Sequence, residues 1–355
     1  MNSQGIKVKK QMINILILLL LAAFTVSFYL KGYSLQEFLQ TLKNTNYWYL
    51  ICGLGLMFLF VICEAINIYL ILNVLGQSVS MHRCLEYSCI GFYFSSITPS
   101  ASGGQPAQIY YMKKDKILVS ISTITIFFVV FVYQIAMIIL GVTLAVFRHS
   151  EALNFIHKLK YLLVFGGIVN VGAIFLFLFL MFSSKLLPNI LNILIKIGFK
   201  LKIVKRMDEI KTKAAESMAF YKEKAIVLKQ HPVLFFKVFF VTIIQMIALN
   251  LIPYIVYKSM HYNSKNLLDL LTCQSLLTIS VSAVPLPGAE GITQSGFLHV
   301  FDMYIPKNTI ATAMLINRMI SFYIPLLLSL AVYIYTHIRS VKQSDRGDLI
   351  EGEQN

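Results

Sequence analysis

Six long apolar runs limit this chain to a small set of folds. The runs cover about residues 12–30, 47–75, 117–147, 160–182, 232–258 and 308–338. Each is long enough to cross a bilayer as a helix, which takes about 20 residues. Because lipid offers no hydrogen bonds to the backbone, a spanning segment must be a helix or part of a closed barrel. The predicted fold class is therefore an all-α polytopic membrane protein.

The composition agrees with this class and excludes several others. Of the 355 residues, 57% are hydrophobic and 13% are charged, about half the roughly 25% charged fraction of soluble domains. The five cysteines form no C-x-x-C pair and the seven histidines have no metal-binding spacing, so no metal and no cofactor are predicted. The basic N-terminus resembles a signal peptide, but the run 12–30 is too long for one and is interpreted as a retained helix.

Two further apolar stretches, 84–112 and 267–300, are broken by proline and glycine. If both return to the side from which they entered, the segments on the side of the N-terminus carry 21 Lys and Arg, against 8 on the other side. Cytoplasmic loops are enriched in these residues. The count favours six full spans plus two re-entrant broken hairpins, with both termini in the cytoplasm. The alternative is that proline and glycine only kink helices that cross.

This layout predicts an inverted-topology repeat. The first unit, 1–147, contains the hairpin 84–112 and begins inside; the second, 160–338, contains the hairpin 267–300 and begins outside. Secondary transporters commonly have this plan, with one broken element from each repeat near the midplane. A cytoplasmic tail, 339–355, follows the second unit.

A basic cytoplasmic loop, 183–231, interrupts the second unit and has a net charge of +7. Its first part, 186–204, is mostly apolar and carries a helical stripe of Asn189, Asn192, Lys196 and Lys200. An amphipathic helix lying in the interface is predicted, attracted to anionic lipid by its basic residues. No nucleic-acid partner is expected.

The broken hairpins contain the candidate binding residues. In "TPSASGGQP", Gly103 and Gly104 offer backbone amides, and Pro106 suits the first turn of a helix from about Gln105 to Lys114. In "PLPGAEG", proline and glycine end one helix before another begins near Ile292. Helix N-termini attract anions, so two of them approaching from opposite sides would suit a phosphate. The candidate substrate-binding residues are Thr98, Pro99, Ser100, Ser102, Gly103, Gly104, Gln105, Pro106, Tyr110, Pro285, Pro287, Gly288, Glu290, Gly291, Gln294 and Arg318.

Three ionisable residues fall inside apolar segments: Glu64, Glu290 and Arg318. Such residues are functional candidates by default. Arg318 is predicted to pair with Glu64 or Glu290 until an anionic ligand competes for it. The alternative is a permanent buried ion pair that fixes the packing.

The motifs "TPSASGGQP" at 98–106, "PLPGAEG" at 285–291 and "NRMISFY" at 317–323 together resemble the lysylphosphatidylglycerol synthase transmembrane, or flippase-like, family. The resemblance covers nearly the whole chain. The family includes the N-terminal lipid-flipping half of the multiple peptide resistance factor. Ala289 stands where the family often has Gly, Gln294 where it often has Glu, and Gln105 in place of the acidic alternative. These differences remove negative charge and weaken a proton-coupling role at these positions.

The resemblance implies a bacterial plasma-membrane protein that moves an anionic, aminoacylated or polyprenyl-phosphate lipid between leaflets. Its expected partner is therefore a membrane phospholipid or a lipid-linked phosphate. Lysyl transfer itself needs a soluble domain, and the loop 183–231, the longest segment outside the membrane, is too short for one. Two alternatives remain: an integral-membrane transferase using Glu290, Glu64 or Glu86, and a partner subunit of a separate lysyltransferase.

Overall fold

The computed structural model describes residues 40, 43–182, 220, 221 and 223–353, with side chains up to residue 340 except those of 181 and 182. No strand occurs among these residues. Five helical segments are long and apolar enough to cross a membrane: Tyr47–Val74, Val119–Phe147, His149–Leu180, Pro232–Ser259 and Ile310–Ser340. The chain is therefore an all-α polytopic membrane protein, as predicted. The first predicted span, 12–30, and the polar stripe of the loop lie outside the described residues.

The described helices comprise long spans and shorter segments between them. In chain order they are α1 (Tyr47–Val74), α2 (Met81–Ile97), α3 (Gly104–Lys114), α4 (Val119–Phe147), α5 (His149–Phe182), α6 (Pro232–Asn250), α7 (Ile252–Ser259), α8 (Leu267–Val281), α9 (Ile292–Phe301), α10 (Ile310–Arg318) and α11 (Ile324–Glu353). The backbone of α11 thus continues as helix through most of the predicted tail, 339–355. A short helical segment, 223–230, precedes α6.

Three spans differ in detail from the sequence prediction. Helix α5 kinks at Leu159 (φ −129°, ψ 30°), so the predicted span 160–182 is preceded by an additional helical segment that begins at His149. Ala152 and Phe155 of this segment are buried in the core and hold it in place. The span 232–258 is two helices, since Pro253 at the start of α7 cannot continue the hydrogen bonding of α6. Between α10 and α11 lies one π-helical turn, Met319–Tyr323, a feature that is frequent at functional sites.

Both broken stretches fold back on themselves. In the first, a Cβ on Gly104 would lie 2.0 Å from the Ser95 hydroxyl, so α3 runs closely along α2. Near the other end of the same pair, the Tyr87 hydroxyl donates to Asp115. In the second hairpin, Gly296 of α9 packs against Leu277 of α8 in the same way. Helices α3 and α9 have 11 and 10 residues, which is too short to cross a bilayer.

The bases of the two hairpins lie at opposite ends of the bundle. At the base of the first, Glu86 accepts from Arg339 of α11 at 2.8 Å. Helix α4 leaves this end and runs for 29 residues, about 43 Å. Beyond its far end, Arg148 contacts Asp269 of α8 at 3.5 Å. The tips of the hairpins, by contrast, contact each other.

Helices α1 and α6 pack along each other beside the two hairpins. Their interface contains a buried hydrogen bond from the Asn67 amide to the Thr242 hydroxyl, 3.0 Å long. Helix α4 contacts α1, α3 and α6. These helices therefore surround the point where the hairpin tips meet, and they supply the remaining walls of the site.

Candidate functional site

Each hairpin turns through a short 3₁₀ segment of nearly the same backbone shape. Thr98 has φ −117° and ψ 145°, and Leu286 has φ −114° and ψ 144°. A proline follows in each, and then two residues in the left-handed region: Ser100 and Ala101 in the first turn, Gly288 and Ala289 in the second. This conformation costs about 1–2 kcal/mol for a residue with a side chain. Its retention in both turns indicates a constrained site.

The first turn is held by its own hydroxyl groups. Thr98 Oγ1 donates to the Phe94 carbonyl at 2.6 Å and accepts from the Gly103 amide at 2.9 Å. Ser102 Oγ donates to the Pro99 carbonyl at 2.8 Å. A hydroxyl has one hydrogen to donate, so the expectation that Thr98 and Ser102 serve as donors to a ligand does not fit this geometry. Ser100 makes no such bond within the described chain.

A cavity of about 390 Å³ lies where the two turns meet. Its walls come from both turns and from α1, α2, α3, α4 and α6. The lining residues are Phe60, Glu64, Gly91, Phe92, Ser95, Ser100, Ala101, Gln105, Gln108, Ile126, Val129, Val130, Tyr133, Gln134, Gln245, Ser282, Val284, Leu286, Gly288 and Ala289. We call it the central cavity.

A second, more open space of about 680 Å³ adjoins the central cavity along α3. The two share Ser100, Gln105, Val130 and Gln134. The second space, here called the lateral groove, continues past Pro106 to Tyr110 and Lys113, with Phe127 of α4 and Phe177 of α5 on its apolar side. Helix α3 supplies polar groups at Gln105, Tyr110 and Lys113, with the apolar Pro106 and Ile109 between them, whereas α4 and α5 supply apolar side chains apart from Gln134.

Arg318 lies behind the second turn and is not among the residues lining the central cavity. Its Nε and Nη2 atoms donate to Glu290 Oε1 at 3.1 and 2.8 Å, and Nη2 also donates to the Gly288 carbonyl. The guanidinium carbon stacks 4.0 Å from the centre of the Phe322 ring. Gln294 donates to the other oxygen of Glu290. A buried ion pair therefore fixes the carbonyl of Gly288.

This geometry decides between the two partners expected for Arg318. Glu290 is the partner, and Glu64 is not: Glu64 Oε1 accepts instead from Gln108 Nε2 at 2.8 Å. Glu64 lies in α1, whereas Glu290 lies at the tip of the second hairpin. Arg318 is the last residue of α10, which lies beside that tip.

Of the predicted site residues, the structure brings only some to the cavity or the groove. Those present are Ser100, Gln105 and Gly288 in the central cavity and Ser102, Pro106 and Tyr110 in the lateral groove, with Ser100 and Gln105 in both. The others support the turns from behind or within: Thr98, Pro99, Gly103, Gly104, Pro285, Pro287, Glu290, Gly291, Gln294 and Arg318.

Sequence reasoning missed several polar residues of the cavity, among them Ser95, Gln108, Gln134, Gln245 and Ser282. The signal was available for two of them, since Gln134 and Gln245 interrupt the apolar runs of α4 and α6. A polar side chain inside a span usually faces the protein interior. A Cβ at position 91 would lie 2.3 Å from the Gln108 side chain, which explains why α2 has glycine there.

The described helices define a multi-pass helical membrane protein, and comparison with known proteins agrees with that class. The family model described as "Lysylphosphatidylglycerol synthase TM region" matches residues 11–329. The chain belongs to this family. It is also similar to a "UPF0104 membrane protein" of Archaeoglobus fulgidus, with 23% identity over 290 residues, covering 80% of this chain and 85% of the relative.

Proposed function

We propose that this protein moves a phosphate-bearing membrane lipid between leaflets without changing it chemically. The observation that carries the proposal is the position of the central cavity, which lies where the tips of the two hairpins meet. Non-helical backbone at membrane depth is tolerated where it lines a polar cavity. Transporters with inverted repeats hold their substrates at such a junction, and the two turns of matching shape support this plan.

The chemistry of the first turn suits a phosphate. The amides in the first turn of α3 have no preceding helical carbonyl to bond, and they lie at the positive end of the helix dipole. Ser100 and Gln105 add neutral polar groups beside them. The cavity volume, about 390 Å³, falls in the usual range for a small-molecule site, about 300–1,000 Å³. A head group fits such a site, whereas two acyl chains would not.

The lateral groove gives the lipid a path. Its polar side along α3 leads from Lys113 to Ser100, and its apolar side is formed by Phe127 and Phe177. A phosphate would follow the polar side while the tails stay against the apolar side and in the bilayer. Lys113 is exposed at the mouth and would attract an anionic head group.

Arg318 does not line the cavity and would act by holding the second turn in place. While paired with Glu290, it fixes the Gly288 carbonyl and the shape of the cavity wall. Competition between the phosphate and Glu290 for the guanidinium would loosen that wall during passage. The resemblance to the multiple peptide resistance factor favours an anionic or aminoacylated lipid in a plasma membrane. The Lys and Arg distribution favours an orientation with both termini in the cytoplasm.

Reconstitution of the purified chain in liposomes tests the proposal. Fluorescent phosphatidylglycerol, lysylphosphatidylglycerol, a polyprenyl phosphate and a phosphate-free glycolipid would be compared for loss of leaflet asymmetry. We expect at least one phosphate lipid to exchange faster than in empty vesicles, and the glycolipid to remain at the background rate. Equal exchange of all four, or of none, would contradict the proposal.

The same vesicles separate the two alternatives. A new lipid species on chromatography would indicate an integral-membrane transferase. Exchange or modification seen only after a lysyltransferase is added would indicate a partner subunit of a separate synthase. The central cavity favours translocation over transfer because, among the described residues that line it, Glu64 is the one carboxylate, without the second carboxylate of a paired acid–base site.

A further inference from the structure

The central cavity contains buried acceptor oxygens that the described chain leaves without donors. Gln245 of α6 is only 2% exposed, and its Oε1 has no hydrogen-bond partner among the described residues. Gln134 of α4 lines the same cavity, and its Oε1 is also buried and unpartnered within that part of the chain. Buried polar atoms without partners are rare, and each one suggests an unseen water, ion or ligand.

Glu64 of α1 contributes a carboxylate to the same cavity. Its Oε1 accepts from the neutral amide of Gln108 at 2.8 Å, which leaves Oε2 outside that bond. Within the described ranges, no Lys, Arg or His forms an ion pair with Glu64 or lines the central cavity. Glu64 is part-buried, and a carboxylate that stays ionised there without a counter-charge is costly. A positive ligand in the cavity would stabilise its charged form.

We propose that Glu64, Gln134 and Gln245 form a binding site for a small monovalent cation, of the size of an alkali ion or a primary ammonium group. One carboxylate balances one positive charge, which favours a monovalent ligand. Oxygens from three different helices match the three N–H donors of an ammonium and also the oxygen shell that hard metal cations prefer. The amide oxygens of Gln134 and Gln245 and the carboxylate oxygens of Glu64 are all acceptors, so they cannot hydrogen-bond one another, but each can bind a cation.

The cation site lies in the same cavity as Ser100 and Gln105, which we assign to the phosphate. A head group with an amine beside its phosphate could occupy both sites, or an inorganic ion could neutralise Glu64 while a phosphate enters. Cation binding itself does not rest on lipid movement. It can therefore be tested in detergent, without a transport assay.

Thermal unfolding of the purified full chain measures this binding. Na⁺, K⁺ and methylammonium chloride would be titrated at constant ionic strength against N-methylglucamine chloride, whose cation is too bulky for the proposed site. We expect at least one probe to raise the Tm by several degrees with saturation. Glu64→Gln should weaken that response at least tenfold, while Glu223→Gln, a control at a side chain 63% exposed, should leave it unchanged.

The responding probe distinguishes the sources. Saturation by an alkali ion alone assigns an inorganic ion, and saturation by methylammonium assigns an amine-bearing ligand. Gln245→Leu keeps the size of the side chain but removes its oxygen, so it should weaken binding several-fold, and it decides the matter if Glu64→Gln does not fold. No saturable response to any probe, or an unchanged response in Glu64→Gln or Gln245→Leu, would overturn the site. Failed lipid exchange with intact cation binding would refute only the translocase.

Discussion

In the first hairpin, hydroxyl groups of Thr98 and Ser102 hold the turn, whereas in the second the buried pair of Arg318 and Glu290 holds it. The backbone shapes are nearly the same, with two left-handed residues after a proline in each. The two turns share a conformation and differ in what stabilises it. An inverted repeat would account for the shared conformation of the two turns, each with its own supporting contacts.

The contacts that stabilise the two turns differ in how far apart in the sequence the bonded residues are. The hydroxyl bonds of the first turn are local, joining residues three to five apart. The ion pair of the second turn joins residues 28 apart and links the hairpin tip to the start of the π-helical turn after α10. A displacement of α10 would therefore be transmitted to the second turn through this ion pair, whereas the contacts of the first turn lie within the turn itself. Under the proposed function, we expect the second hairpin to move and the first to receive the phosphate.

Removal of the ion pair should have the largest effect. Arg318→Ala leaves Glu290 buried without its counter-charge, which destabilises by about 3–5 kcal/mol if the carboxylate stays ionised. It also frees the Gly288 carbonyl, so lipid exchange in liposomes should be lost. Arg318→Lys keeps the charge but cannot reproduce the guanidinium geometry, and exchange should fall substantially while the protein still folds. Thermal unfolding and exchange rates would be measured on the same preparations.

Two further variants control this experiment. Lys237→Ala removes an exposed basic residue of the span formed by α6, and we expect it to change neither stability nor exchange. Adding Glu290→Gln to Arg318→Ala should restore much of the stability without restoring exchange. Wild-type exchange by Arg318→Ala would mean that Arg318 only packs, and the comparison between the hairpins would lose its functional meaning.

Substitutions at the matching left-handed positions should separate the two turns by stability. A Cβ on Gly288 would lie 2.4 Å from the Phe322 ring, so Gly288→Ala should destabilise by about 1–3 kcal/mol through overpacking. Ser100 already has a Cβ, so Ser100→Ala should change stability by less than about 0.5 kcal/mol. It should nevertheless slow exchange, because the hydroxyl in the cavity is lost. Equal destabilisation by both, in thermal unfolding, would show that the turns are not held differently.

The fold was largely readable from the sequence because lipid imposes simple rules. Apolar runs of about 20 residues locate spans, and proline and glycine inside such runs locate breaks. Five of the six predicted spans correspond to described helices. The segment after Arg148 was misjudged, since its polar residues suggested a loop while Ala152 and Phe155 anchor it as helix.

The site was less readable because it depends on which face of each helix meets the others. The motif at 98–106 indicated the correct turn, but only the three-dimensional contacts show that Ser100 faces the cavity while Thr98 bonds its own backbone. Likewise, nothing in the spacing favours Glu290 over Glu64 as the partner of Arg318. That choice follows from how α10 packs beside the second turn.

Substitution of the residue that precedes each turn, Thr98 or Leu286, should have a moderate effect on stability. Thr98→Val keeps the shape but removes the acceptor of the Gly103 amide and the donor to Phe94, which costs about 1–3 kcal/mol for an unsatisfied buried group. The matched control is Leu286→Thr in the second turn, where the native side chain has no hydroxyl and none is needed. We expect it to be nearly neutral in thermal unfolding. A neutral Thr98→Val would show that the first turn does not depend on its hydroxyl groups.

Cysteine labelling should reveal the opposite orientation of the hairpins with no loss of exchange. Lys116 follows α3 and Asn308 follows α9, and both are exposed, so a cysteine at either position should leave the turns and the cavity intact. On a background without the five native cysteines, an impermeant maleimide should label Lys116→Cys only from the cytoplasmic side and Asn308→Cys only from outside. The bases lie at opposite ends of a bundle whose α4 alone spans about 43 Å, so the two sites cannot both be at one surface if the long helices cross the membrane. Labelling of both from the same side would contradict the inverted repeat, and with it the use of two opposed turns to hold one phosphate.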